Sequence, residues 1–80
     1  MILQNEVEAK MKTIASKVIK KLPNTISRES RIKEDLGADS LDVVLLLFEL
    51  ENEFDISIPD EKGSRFKTVG DVVDYVVSVK

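Results

Sequence analysis

The run Leu36-Gly37-Ala38-Asp39-Ser40-Leu41-Asp42 sets one serine between two aspartates at the head of a stretch with helical spacing. A serine oxygen is a useful nucleophile only when a base stands beside it. The 80-residue chain has no His and no Cys, so a Ser/His pair is impossible and the protein supplies no thiol. Asp35, Asp39 and Asp42 lie close in sequence. They lack the alternating Asp/Asn ligands, central Gly and terminal Glu of an EF-hand loop. No metal-ligand cluster and no Gly-rich phosphate loop is present, so there are neither catalytic residues nor metal ligands to assign. A serine displayed with no machinery of its own makes sense as the target of another enzyme. The pattern points to a carried group and away from catalysis.

The element that positions Ser40 is a helix predicted from about Ser40 to Phe54. Asp39 is a natural N-cap, and Asp42 at the third helical position completes a variant of the capping box. At 100° per residue the apolar side chains form two groups. Val43, Leu46, Leu47, Leu50 and Phe54 make the expected core stripe, and Leu41, Val44, Leu45 and Phe48 make a second stripe roughly 150° away. So small a bundle can hardly bury both. Asp42, Glu49, Glu51 and Glu53 lie between and below the stripes, so the second stripe reads as a partner surface with an acidic border. The free N–H groups and positive end of the helix would stabilise a phosphate joined to the Ser40 hydroxyl. Serine at a helix start is also common for capping alone.

Three further segments surround that helix. Residues from about Asn5 to Lys21 carry Val7, Met11, Ile14, Val18 and Leu22 at helical spacing. Asn5 is the expected cap and Pro23-Asn24 the expected stop. Residues 23–38 read as a long connection anchored by Ile26, Ile32 and Leu36, of a length that is often functional. Ile56-Ser57-Ile58-Pro59-Asp60 is extended, and Pro59 can open a short helical turn that Gly63-Ser64 weakens. The segment Asp71-Val72-Val73-Asp74-Tyr75-Val76-Val77 has the β-branched content of a strand. Thr68 with Asp71 reads as a capping box, and Val69, Val72, Val73 and Val76 follow the helical period, so a helix is expected. The fold class is all-α.

Composition bounds the rest. With 42% hydrophobic and 34% charged residues the chain reads as one globular domain spanning 1–80. A domain this size buries only ~60% of its unfolded surface, which leaves room for one small core. No Cys means no disulfide scaffold or thiolate metal site, and a domain without such staples fits the cytoplasm. No apolar run approaches the ~20 residues of a membrane span. The N-terminus lacks the basic-then-apolar order of a signal peptide. Charge is uneven: residues 1–33 carry +5, residues 34–61 carry ten acids and no base, and residues 62–80 carry +2. A long run of one sign starting near the odd serine suits basic protein partners, with no nucleic acid and no membrane insertion implied.

The run Glu34-Asp35-Leu36-Gly37-Ala38-Asp39-Ser40-Leu41-Asp42 is followed by Glu51-Asn52-Glu53-Phe54-Asp55-Ile56-Ser57-Ile58-Pro59-Asp60-Glu61 and Thr68-Val69-Gly70-Asp71-Val72-Val73-Asp74-Tyr75. Together they resemble the acyl carrier proteins of dissociated, bacterial-type fatty-acid synthesis, over nearly the whole chain. The resemblance implies a small four-helix bundle of three long helices and one short one, working as a monomer. It implies a 4'-phosphopantetheine arm on Ser40, flanked by Asp39 and Leu41 and attached by a phosphopantetheinyl transferase from coenzyme A. Acyl groups would ride on that arm as thioesters to acyl-chain synthesis and transfer enzymes. Val43, Leu47, Leu50, Phe54, Ile58, Phe66 and Tyr75 would line or close an acyl cavity. Asp39, Asp42, Glu51 and Glu53, with Leu41, Val44, Leu45 and Phe48, would meet the basic surfaces of partner enzymes. Leu45 stands where fatty-acid carriers usually have Glu, the first helix is unusually basic, and Gly63-Ser64 departs from the short acidic helix of relatives. A specialised carrier of a polyketide, aminoacyl or D-alanyl group stays open beside the fatty-acyl reading. So does a small helical adaptor with no prosthetic group.

Overall fold

The computed structural model describes residues 3–21 and 23–80. Four helices run in the order α1 (Gln4–Ile19), α2 (Ser40–Phe54), α3 (Asp60–Gly63) and α4 (Val69–Val79), with a 3-10 turn at Pro23–Thr25 between the first two. Helix α1 lies against both α2 and α4, so the core is the space those three enclose. Val7, Met11, Leu46, Leu50, Val69, Val72, Val73 and Val76 are all fully buried there. Each such side chain stabilises the fold by roughly 1.5–3 kcal/mol relative to exposure. Among the described residues no helix is long and apolar enough to cross a membrane.

Helix α1 differs from its expected bounds at both ends. Leu3 is the N-cap and offers no side-chain hydrogen bond, whereas Asn5 lies inside the first turn and caps nothing. The helix stops at Ile19, before the Pro23-Asn24 signal, because Lys20 turns into the left-handed region at φ 62°. The Ser16 hydroxyl donates to the Lys21 carbonyl across that turn. Leu22, expected on the buried face, lies outside the described residues. The inward face is Val7, Met11, Ile14 and Ala15, with Val18 packed at its edge.

The connection from 23 to 38 is more ordered than its composition suggested. Ile26, Ile32 and Leu36 are buried as anchors. Its backbone is also tied to the start of α4. The Ile32 N–H donates to the Lys67 carbonyl at 2.8 Å, Val69 N–H to Ser30 at 3.0 Å and Gly70 N–H to Arg28 at 2.9 Å. Arg31 and Thr68 form an isolated antiparallel bridge. A side chain on Gly70 would begin 3.1 Å from the Arg28 carbonyl, so glycine lets the two segments cross closely without a shift. Gly37, at φ +72°, supplies the left-handed turn that swings the chain from Leu36 to the head of α2.

Helix α4 is a helix despite its valines. Thr68 accepts from the Asp71 N–H at 3.2 Å, and Asp71 accepts in return from Thr68 at 3.1 Å and from Lys67 at 2.9 Å. Those bonds hold the Asp71 carboxyl below the usual carboxylate range, the Lys67 N–H contributing most.

Candidate functional site

Ser40 is the first residue of α2 and is exposed. Its position is fixed from behind by the expected capping box. Asp39 accepts from the Asp42 N–H at 2.8 Å, and Asp42 accepts from the Asp39 N–H at 3.3 Å. Each acid thus commits one side-chain oxygen to the backbone of the other. Helix geometry leaves the N–H groups of Ser40 and Leu41 without intrahelical acceptors. Ser40 is exposed beside these N–H groups, which would favour an anion joined to its hydroxyl.

An open groove starts at this hydroxyl. Its upper part, about 440 Å³, is lined by Ser40, Val43, Gly63, Ser64, Phe66 and the Lys33–Glu34 and Lys67 rims. Its lower part, about 500 Å³, runs on between α2 and α3 past Val43, Leu47, Ile58 and Pro59. Both fall within the size range of ligand pockets. The lower part is walled mainly by carbon, so an alkyl group would find an apolar surface there. These features fit a phosphopantetheine group on Ser40 with an acyl chain laid beside α2.

The groove exists because α2's core stripe divides. Leu46, Leu50 and Phe54 are sealed in the core, at no more than 3% exposed, while Val43 and Leu47 on the flank are half-buried. Facing them α3 offers Gly63 and Ser64 in place of bulky side chains. A Cβ on Gly63 would sit 2.7 Å from the Leu47 methyl, so the missing side chain decides how close α3 comes. Of the seven residues expected around an acyl cavity, Val43, Leu47, Ile58 and Phe66 line the groove. Leu50 and Phe54 belong to the closed core behind it. Tyr75 is half-buried and backs Phe66, ring centroids 5.5 Å apart at 57°.

The second stripe of α2 faces solvent, and its Val44 and Phe48 also border the lower groove. Leu41, Val44, Leu45 and Phe48 are 65%, 61%, 45% and 57% exposed. Four large apolar residues on one helix face, open to water, form a patch of the kind that marks interaction sites. Around it the acids have different positions. Glu51 accepts from the Ile58 N–H at 2.7 Å and pins the extended segment 56–59 to α2. Glu53 pairs with Lys10 at 3.1 Å and Glu49 with Lys17 at 3.5 Å, both across to α1. Glu34 and Asp35 pair with Arg31. The hydrogen bond from Arg31 holds the Asp35 carboxyl below its usual range and raises the guanidinium in turn. The run that reads as uniformly acidic in sequence is thus partly matched by bases from α1 and the connection.

Sequence reasoning missed Lys33 and Lys67 at the groove rim. No local pattern joins them, since long-range backbone pairing between segments 28–32 and 67–70 brings them together. Gly63 was visible as a weak point in α3, and its effect on groove width was not. Among the described residues no cluster of three or more acids has metal-site geometry.

Comparison with known proteins agrees with this geometry. Residues 9–76 match the family described as phosphopantetheine attachment site. An acyl carrier protein of Wolinella succinogenes is 53% identical over 58 residues, covering 72% of this chain and 76% of its own. One from Borreliella burgdorferi is 43% identical over 72 residues, 90% of each chain. The solved structure of an acyl carrier protein from Enterococcus faecalis superposes with a TM-score of 0.83 at 37% identity, covering 99% of this chain and 100% of that one. The chain belongs to the acyl carrier proteins, the phosphopantetheine-bearing family whose members are carriers and not enzymes.

Proposed function

We propose that Ser40 is the attachment point of the 4'-phosphopantetheine arm, and that the chain carries fatty-acyl groups between the enzymes of fatty-acid synthesis. The observation that carries this reading is the exposed Ser40 hydroxyl at the N-terminus of α2, opening on an apolar groove. When bound, the arm supplies the thiol that the sequence lacks. Asp39 and Asp42 hold the helix start in place, Leu41 flanks the attachment point, and Val43, Leu47, Ile58 and Phe66 offer the acyl chain shelter from water. The fatty-acyl assignment rests on that carbon-lined groove, because an aminoacyl or D-alanyl cargo would not use it.

Recognition falls to the exposed stripe of α2 that borders the groove. Leu41, Val44, Leu45 and Phe48 form the apolar centre, with Asp39, Asp42, Glu51 and Glu53 as the acidic rim. That arrangement suits a phosphopantetheinyl transferase and acyl-transfer enzymes that present basic patches around an apolar pocket. The absence of Cys and of any dependence on staples agrees with work in the cytoplasm.

Intact-mass analysis after incubation with a transferase, coenzyme A and Mg²⁺ tests the assignment. Wild type gains one phosphopantetheine, while Ser40→Ala folds to the same melting point and gains none. A labelled Ser40→Ala protein would place the arm elsewhere. Protein from the native host carrying aminoacyl or polyketide groups, with no fatty acyl, would refute the cargo assignment and leave the carrier role intact.

A further inference from the structure

The rim of the groove next to Ser40 carries two cations and one acid, Glu34. Lys33 and Lys67 are 34 residues apart in sequence, yet both line the upper groove together with Ser40. Their backbones are held side by side: Ile32 N–H donates to the Lys67 carbonyl at 2.8 Å, and Arg31 pairs with Thr68. Among the described residues neither lysine joins an ion pair, while nearby acids are already engaged. Glu34 and Asp35 face Arg31, at 3.8 and 3.0 Å. Asp71 accepts the backbone N–H groups of Lys67 and Thr68. Asp71 also feels the charge of Lys67 but forms no salt bridge with it, so both ammonium groups can turn to an anion in the groove that Ser40 lines.

We propose that Lys33 and Lys67 form a cationic clip for the phosphodiester that joins the arm to Ser40, turning the arm inward along the groove towards Gly63 and Leu47. The clip rests on Ser40 being the attachment point. A phosphodiester keeps its negative charge throughout the physiological pH range. Lysine binds phosphate as a compact point charge, so two lysines from different segments can close on one anion without a fixed fork. The free N–H groups at the start of α2 face the same anion. With the phosphate held at the rim, the remainder of the arm starts into the apolar groove past Val43 and Leu47.

The test uses the holo protein, with complete loading checked first by intact mass. Phosphorus NMR reads the mobility of the phosphodiester, and carbon NMR reads the lysine side chains in apo and holo forms. Attachment should shift the Cε resonances of Lys33 and Lys67 and leave that of Lys62, an exposed α3 lysine that lines neither part of the groove, unchanged. The phosphorus line should be broad in the wild type and narrow in Lys33→Gln/Lys67→Gln. It should also narrow in the wild type at about 1 M salt, where the screening length falls to ~3 Å. Equal line widths in wild type and the double variant would overturn the clip while leaving Ser40 as the attachment point. So would equal narrowing by Lys62→Gln, since that is long-range charge and not a clip. If no phosphopantetheine mass appears at Ser40, the attachment assignment itself fails, and the clip with it.

Discussion

Leu45 separates the two uses of α2 more sharply than any other residue. It stands in the apolar stripe away from the core and is 45% exposed, flanked by Val44 and Phe48 at 61% and 57%. Leu45→Glu should therefore leave the unfolding free energy within about 0.5 kcal/mol in a urea melt, as surface changes usually do. The same variant should change the apparent KM for the transferase, because it alters the apolar centre of the docking face. A loss of several kcal/mol would mean the side chain is buried and the docking face lies elsewhere. That the residue-level site could be read from sequence follows from locality. Asp39, Ser40 and Asp42 interact through spacings of one to three residues, and the two stripes of α2 follow from helical period alone. Lys33 with Lys67, Glu51 with Ile58, and Glu53 with Lys10 meet through the fold, and no sequence window contains both members of each pair except the second. Even that pair spans a helix end and a change of chain direction. For the same reason Glu51, expected at a partner interface, proves to brace the groove wall as well.

Helix ends were legible where a side chain closes them and obscure where the backbone does. The capping boxes at Asp39/Asp42 and Thr68/Asp71 fix the starts of α2 and α4 where the sequence places them. At α1 the end comes from Lys20 adopting a left-handed turn, for which lysine carries no signal, and the start is capped by no side chain at all. The connection from 23 to 38 looked structureless because its order comes from backbone bonds to α4, which composition does not encode. The Thr68/Asp71 box decides between helix and strand for a valine-rich segment, and its contribution should depend on pH. Asp71 is held below its usual pKa chiefly by the Lys67 N–H, so its folded value lies under its unfolded one. Its stabilisation is therefore present at neutral pH and is lost as pH falls from about 4 through the folded value. Asp71→Asn keeps an acceptor and removes the charge, so it should cost about 0.5 kcal/mol at pH 7, the usual scale for a charge at a helix start. Denaturant melts of the two proteins should converge once the pH lies below the folded pKa of Asp71, where the wild-type carboxyl is also neutral. A gap that persists there would assign the loss to hydrogen-bond geometry and not to charge.

Charge acts over the whole molecule through a balance between α1 and α2. Ten acids and no base lie between residues 34 and 61, yet Lys10 and Lys17 reach across from α1 to Glu53 and Glu49. These pairs are exposed, and such bridges contribute only ~0–1 kcal/mol each to stability. With α2 as the proposed docking face, their larger effect is on the field that a basic partner would meet, since every ammonium beside that face cancels part of its attraction. Replacing both by alanine takes the net charge from −3 to −5. Lys10→Ala/Lys17→Ala should therefore lower the apparent KM for Ser40 modification and steepen its dependence on salt, with the melting temperature almost unchanged. Asp42→Lys, placed at the start of the same face, should do the reverse and raise KM. At physiological ionic strength screening sets in beyond ~8 Å, so both effects should shrink as salt is added and leave the contribution of Leu41, Val44 and Phe48 as a salt-independent remainder. If the double variant and the reversal both leave KM where it was across a salt series, the acidic face does not steer the encounter. Recognition would then rest on the apolar stripe alone.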